Sequence, residues 1–471
     1  MKRILCAMAL IFCIVGIPFL AWAEGTEDIW QGALTVNGGI KLRLVFHVVK
    51  ASNGSYSGTM DSPDQGAKGI PSAIKTYDKQ TLKIEVPVAT GGFEGKLSAD
   101  GQTAVGTWHQ GGLELPLTLT KGGKIVESRR PQTPKAPFPY GSEDVTFDSR
   151  PGVRLAGTLT LPKPLTAPAP AVLLISGSGP NNRDEEILNH QLFLVLADYL
   201  TRRGIAVLRY DKRGIGKSTG SYAQATSADF AADAEAGVAY LKARKEVDGA
   251  KIGLIGHSEG GLIAPLVASR NKSVAFIVLM AGPGLNGEEI LYRQTALIAK
   301  AVGETDEFIA DNRKVQEKMF AVVKAENDPV AAKQKMKTVV DKFWNGLTLV
   351  QRTALKSEEP LYAQGNALLN PWMRYFLTYD PVPALQKVTC PVLALNGSKD
   401  MQVPPQADLS TIETALKAGG NRDYTIKELP NLNHLFQNCT TGSPSEYGSI
   451  EETLSPVALQ TMGDWIAAHT K

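Results

Sequence analysis

The chain has 471 residues, with 50 Lys and Arg against 47 Asp and Glu and a formal charge of +3. Its length exceeds one ordinary domain. A balance this even implies neither a nucleic-acid partner nor an anionic membrane surface.

The first residues have the form of an export signal. Lys2-Arg3 give a positive start, Ile4 to Leu20 are almost wholly apolar, and Ala21-Trp22-Ala23 supplies a small-x-small cleavage pattern before Glu24. Residues 1–23 are therefore expected to be removed, with the mature protein periplasmic or secreted. Removal of Lys2 and Arg3 leaves 48 basic against 47 acidic residues. Cys13 lies in no lipoprotein-type box, and no later stretch is long and apolar enough to span a bilayer. Cys390 and Cys439 stay in the mature chain. Export permits them to pair. A parallel-strand placement would hold them roughly 16 Å apart, beyond the about 7 Å a disulfide bridges, so the pairing is left open.

Residues 24–121 have the pattern of an all-β domain, a small antiparallel barrel or sandwich. Leu42 to Val48, Thr81 to Val88 and Leu113 to Leu119 are strand-like. Asn37-Gly38-Gly39, Ser52-Asn53-Gly54, Ala99-Asp100-Gly101 and Gln110-Gly111-Gly112 mark turns. Gly95 to Trp108 forms a hairpin pattern. The aromatics Trp30, Phe46, Tyr56, Phe93 and Trp108 are expected in the barrel core. Residues 122–142 carry Pro131, Pro134, Pro137 and Pro139, the composition of an extended linker.

The pattern changes over 143–471. A hairpin (Asp144 to Phe147, Val153 to Leu161) precedes strand Ala171 to Ile175, helix Asn189 to Arg203, strand Ile205 to Tyr210 and helix Ser227 to Arg244. Strand Lys251 to Ile255, the helix from Gly261 and strand Val274 to Met280 follow. Apolar strands alternating with helices predict a doubly wound α/β sheet covered on both faces. Residues 285–378 interrupt it with helical segments Gly287 to Val302, Glu307 to Ala325 and Pro329 to Trp344, and with Trp372 to Phe376. They are expected to form a helical cap. Strand Pro391 to Leu395, helix Asp408 to Lys417, strand Tyr424 to Leu429 and helix Pro456 to His469 complete the body.

Gly256-His257-Ser258-Glu259-Gly260 stands between a strand and a helix, the setting in which a sharp turn exposes a nucleophilic serine. Glycine makes up 45 of 471 residues, so the bare pattern arises by chance in roughly one such chain in three or four. Gly216-Lys217-Ser218-Thr219-Gly220 matches it too, but Ser218 lies well beyond its strand. A phosphate loop would need glycine where Asp211 stands. Context selects Ser258.

Six histidines are candidates for its base. His47 and His109 fall in the β domain, His190 precedes the serine, His257 adjoins it and His469 ends the last helix. His434 lies in the loop at the carboxyl end of the last strand, where the sheet would carry it over Ser258. Asp400 follows the preceding strand at the same edge and would fix the histidine tautomer. Asp408 and Asp423 compete from a helix and from just before a strand. The backbone N–H of Glu259 is one expected oxyanion donor. The second is that of Ser178, with Gly177 or Gly179 as near alternatives, in the loop Ser176 to Pro180 after a buried strand. Gly177, Gly179 and Trp372 are further expected to contact substrate.

These motifs, with Arg183-Asp184-Glu185, Asp211 to Ser218, Asn396 to Asp400 and Asn433-His434, occur in one order. Residues 143–471 resemble the α/β-hydrolase superfamily, most closely a bacterial carboxylesterase branch carrying an extra N-terminal domain. Ser176 departs from it, standing where many relatives have histidine. The resemblance implies a serine carboxylesterase for short- to medium-chain acyl esters, with Ser258, His434 and Asp400 as its triad and with no metal or organic cofactor. Peptidases, amidases and acyltransferases share the triad. A binding role for the β domain is the alternative of another class. The expected partner is a small ester, with no nucleic acid and no stable membrane span after signal cleavage.

Overall fold

Strands that alternate polar and apolar residues bury one face only, and closing such a sheet removes its edges. The computed structural model describes residues 25–35, 41–63, 67–89, 91–110, 113–122, 129–355 and 357–471. The predicted signal at 1–23, the turn at 37–39 and Gly111-Gly112 lie outside them. The described chain divides into two compact units. One holds the strands up to residue 121 together with 341–360 and 445–451. The other holds 130–340, 361–444 and 452–471.

The first unit contains a closed eight-stranded antiparallel barrel. Its strands are β1 (Gly25–Thr35), β2 (Lys41–Ala51), β3 (Tyr56–Ser62), β4 (Ala67–Tyr77), β5 (Thr81–Val86), β6 (Gly91–Leu97), β7 (Thr103–Gln110) and β8 (Leu113–Lys121). Pairing of Trp30 with Lys121 closes the ring, which excludes the sandwich. The interior is filled by Trp30, Phe46, Ile84, Phe93, Trp108 and Leu119, all buried. Of the five predicted core aromatics only Tyr56 is half-buried, packed edge-on against Tyr77.

The second unit is built on an eight-stranded mixed sheet. The antiparallel hairpin β9 (Gly141–Arg150) and β10 (Val153–Leu161) leads into β11 (Ala169–Ile175). A short ribbon, β12 (Glu186–Ile187) and β13 (His190–Gln191), follows it. Then come β14 (Ala206–Tyr210), β15 (Val247–His257), β16 (Phe276–Met280), β17 (Val392–Gly397) and β18 (Tyr424–Leu429). The strand order is β18-β17-β16-β15-β11-β14-β10-β9. From β11 the chain first moves to β14 on one side, then to β15 on the other. That reversal opens a crevice at the carboxyl ends of β11 and β15, where α/β sheets place their ligands. Helices α1 (Leu192–Arg202), α2 (Ser227–Lys242) and α3 (Glu259–Ala268) cover the sheet. The ribbon delays α1 by three residues from its predicted start at Asn189.

Between β16 and β17 run α4 (Gly287–Ala301), α5 (Asp306–Ala325), α6 (Pro329–Gly346), α7 (Leu349–Leu355), α8 (Glu359–Ala367), α9 (Pro371–Thr378) and the single turn α10 (Val382–Leu385). Asn286 caps α4 by accepting from Glu289 N–H at 2.9 Å. Helices α4, α5 and α9 pack together, and Gly287 lies so close to Phe376 that a Cβ would meet its carbonyl at 2.3 Å. The chain closes with α11 (Pro405–Ala418) and α12 (Pro456–His469). Among the described residues no helix is long and apolar enough to cross a membrane.

Candidate active site

Strand β15 runs to His257 and α3 starts at Glu259, so Ser258 alone makes the turn. Its φ of 53° and ψ of −117° lie where a side chain is strained. Such a conformation costs about 1–3 kcal/mol and persists only when its surroundings enforce it. They do. Ser258 N–H donates to Met280 O and Gly261 N–H to Ser258 O, each at 2.8 Å. The flanking glycines have no space for a side chain: a Cβ on Gly256 would meet Gly260 O at 2.0 Å, and one on Gly260 would meet Ile175 O at 1.9 Å. The decoy Ser218 is buried and structural. Its hydroxyl donates to Asp211 O at 2.7 Å and accepts from Ala156 N–H at 2.9 Å.

The loops after β17 and β18 bring Asp400 and His434 together. Asp400 Oδ2 accepts from His434 Nδ1 at 2.7 Å, and both residues are buried. The other carboxylate oxygen, Oδ1, accepts from the N–H groups of Gln402 and Val403 at 2.7 and 2.9 Å. The carboxylate therefore fixes the ring with Nδ1 protonated and Nε2 available as a base. The two loops are tied to each other: Lys399 N–H donates to Leu432 O at 3.0 Å, and Asn431 N–H to Ser398 Oγ at 2.9 Å. Asn433 shapes the turn by accepting from Leu435 and Gln437 N–H. No hydrogen bond joins Ser258 Oγ to His434; bonds of this kind tighten when substrate binds. The competing acids go elsewhere. Asp408 accepts from Gly284 and Leu285 N–H, and Asp423 faces His469 at 3.4 Å.

His257, next to the serine, serves the framework. Nε2 donates to the carbonyl of His434 at 3.0 Å, and Nδ1 lies 3.0 Å from Glu185 Oε1. Both nitrogens face acceptors, an arrangement that favours the imidazolium. Burial opposes that charge, but the Glu185 carboxylate and the His434 carbonyl outweigh it and raise the pKa above the ordinary value. His190 is likewise buried, against Thr453 and Gln437.

The loop after β11 abuts the elbow, since a Cβ on Gly177 would lie 3.1 Å from Ser258 Cβ. Gly177 N–H is already taken by Glu185 Oε1 at 2.5 Å, which removes it from the oxyanion alternatives. The N–H groups of Ser178 and Glu259 make no hydrogen bond among the described residues. Gly179 has a φ of 102°, a conformation suited to glycine. Trp372, on α9, reaches the elbow helix: its indole N–H donates to Glu259 Oε1 at 2.6 Å while its ring stacks on Phe376. Cys390 and Cys439 are not joined by a disulfide.

A strand–serine–helix elbow at the switch point of a mixed sheet, with a His–Asp pair on the loops after β17 and β18, defines an α/β-hydrolase. Residues 189–438 match the family model Hydrolase_4, described as serine aminopeptidase, S33. The chain is 31% identical over 340 residues to Esterase EstD of Thermotoga maritima, covering 69% of this chain and 70% of the relative. It belongs to this α/β-hydrolase family and is a serine carboxylic ester hydrolase. Two solved structures are also similar in part. The Pyrococcus furiosus esterase Pf2001 matches at 16% identity and TM-score 0.41, over 70% of this chain and 94% of its own. Est1E from Butyrivibrio proteoclasticus with ferulic acid bound matches at 18% and 0.41, over 69% and 98%.

Sequence reasoning passed over the side chains of Glu185, Lys212 and Glu259. All three are buried and all three are ionisable residue types. Lys212 Nζ donates to Gly177 O at 2.6 Å and to Glu259 Oε2 at 3.0 Å, and Ser227 Oγ donates to Glu259 Oε1 at 2.7 Å. Their signal in the sequence was their place inside the motifs Arg183-Asp184-Glu185, Asp211-Lys212-Arg213 and Gly256-His257-Ser258-Glu259-Gly260.

Proposed function

We propose that the protein is an exported serine carboxylesterase for short- to medium-chain acyl esters, with Ser258 as nucleophile, His434 as base and Asp400 as its orienting acid. The observation that carries this reading is the strained Ser258, set at the crevice whose neighbouring loops hold the 2.7 Å His434–Asp400 pair. Ser258 Oγ attacks the ester carbonyl while His434 Nε2 takes its proton. The carbonyl oxygen becomes an oxyanion facing the N–H groups of Ser178 and Glu259. The C–O bond to the alcohol breaks, and the alcohol leaves with the proton from His434. Water, deprotonated by the same nitrogen, then frees the acid and regenerates the serine. Gly177, Gly179 and Trp372 line the proposed substrate path. Export rests on the signal-like residues 1–23.

The description of the matching family favours a second reading, that of an aminopeptidase. Such an enzyme needs a carboxylate for the substrate ammonium. The acids beside the elbow are buried and face partners within the framework: both oxygens of Glu259 meet Lys212, Ser227 and Trp372, and Oε1 of Glu185 meets His257 and Gly177. This supports the ester reading. A fluorophosphonate probe is expected to label the protein and not Ser258→Ala; labelling of that variant would overturn the assignment. A nitrophenyl ester series run beside aminoacyl anilides tests the substrate. Faster turnover of an anilide than of every ester would overturn the preference for esters.

A further inference from the structure

The Gly177–Ser178 peptide carries more charge around it than a turn requires. Its carbonyl accepts from Lys212 Nζ at 2.6 Å and from Asn181 Nδ2 at 2.7 Å. Its N–H is that of Ser178, the proposed oxyanion donor. The peptide is trans, so carbonyl and N–H point in opposite directions. A cation bound to the carbonyl thus turns the N–H away from itself. It also draws electron density off the nitrogen and makes the N–H a stronger donor, as in other hydrogen-bond chains.

The same ammonium reaches the second donor. Lys212 Nζ pairs with Glu259 Oε2 at 3.0 Å, and Glu259 supplies the other oxyanion N–H. Ser227 and Trp372 hold the remaining oxygen of that carboxylate. Lys212 is 3% exposed and Glu259 2%. A buried pair adds little stability over apolar residues of the same volume, because both ions are stripped of water. Stability alone gives little reason for a lysine here.

We propose that Lys212 is a positioning residue that aligns and polarises both backbone donors of the oxyanion hole, one through the Gly177 carbonyl and one through the Glu259 carboxylate. This rests on Ser258 being the nucleophile. Lys212 touches no reacting atom. It acts on the transition state, where the oxyanion carries its charge, and little on the bound ester.

Removing Lys212 alone would leave the Glu259 carboxylate buried without its cation, so the test uses the neutral pair Lys212→Met/Glu259→Gln, which keeps both backbone N–H groups. Active sites are counted by fluorophosphonate titration. Per active site, kcat for a nitrophenyl ester is expected to fall about 10- to 100-fold, a part of what losing a whole oxyanion donor costs. KM is expected to stay within about threefold. Affinity for a trifluoromethyl ketone, whose serine adduct carries an oxyanion, is expected to fall by the same factor as kcat/KM. A folded variant with unchanged kcat would overturn the proposal. So would a loss confined to KM, a loss fully explained by fewer titratable sites, or a ketone affinity that does not follow kcat/KM. Ser258→Ala separates the two readings: if it keeps its activity, the nucleophile assignment fails, whatever the lysine does.

Discussion

Asp408 offers a test, needing no substrate, of how the helical segment after β16 is anchored. It sits on α11, buried, with Oδ1 accepting from Gly284 and Leu285 N–H at 2.7 and 3.1 Å, just before helix α4. Oδ2 has no hydrogen-bond partner among the described residues. Burial and the nearby Asp400 carboxylate together outweigh the two amides and push its pKa up to about 7, from an ordinary value of 3.8. A carboxyl group with a raised folded-state pKa binds its proton more tightly folded than unfolded. Its contribution is complete below the unfolded value and is lost as the pH climbs through about 7. Asn at 408 keeps the Oδ1 acceptor and cannot ionise. Its amide leaves a buried donor, a cost of about 1–3 kcal/mol that does not vary with pH. The pH-dependent part is then isolated by difference. Between pH 5 and 9 the parent loses about 3 kcal/mol through this group and Asp408→Asn does not, at 1.36 kcal/mol per unit of pH up to the folded pKa. The assay is urea unfolding followed by tryptophan fluorescence, with parent and variant side by side in steps of one pH unit. Other titrating groups cancel in the difference. The variant should gain on the parent by that amount, with most of the change below pH 7. A flat difference, or a variant that loses ground as pH rises, would refute the buried protonated carboxyl.

Three further outcomes are expected. His257→Gln should cost most stability at acid pH and progressively less as the pH rises through the raised pKa of His257, because a raised histidine stabilises below its unfolded pKa; urea midpoints across pH 5 to 9 check the sign. Gly260→Ala would set a Cβ 1.9 Å from Ile175 O and should destabilise by roughly 3 kcal/mol, read in the same unfolding assay. Trp372→Phe keeps the stack on Phe376 but removes the 2.6 Å bond to Glu259; a loss of about 1.5–3 kcal/mol is expected for a hydrogen bond to a charged group, and an unchanged midpoint would show that the indole N–H adds nothing.

The sequence was most legible where periodicity and turn chemistry act alone. Strands β2, β5 and β8, the β6–β7 hairpin, the β9–β10 hairpin and the alternation that follows were visible, because each buries a face that its own residues define, whereas β1, β3 and β4 were not singled out. The Ser258 elbow was visible for a related reason: Gly256 and Gly260 have no alternative where an added Cβ would lie about 2 Å from a backbone oxygen. Closure of the barrel was not visible, since pairing Trp30 with Lys121 joins strands far apart in the chain. The ribbon at 186–191 was also missed, because two-residue strands carry no period.

The charged interior of the site was illegible for a deeper reason. A lone Lys212, Glu185 or Glu259 looks like a surface residue, since burying one such ion is costly. The cost falls only when a partner arrives, and the partners come from other segments: Glu259 from the elbow for Lys212, His257 from the same elbow for Glu185. The two pairs grip the two ends of one residue, Gly177, with Glu185 on its N–H and Lys212 on its carbonyl. The first pair leads through His257 to the loop of His434, the second to the helix that begins after Ser258. The glycine before Ser178 is thereby tied to the turn of Ser258 and to the loop of His434 at once. Shifting any one of the three elements would strand a buried charge. That penalty can hold the strained serine, the loop of His434 and the loop of Ser178 in one register, and no motif read singly contains it.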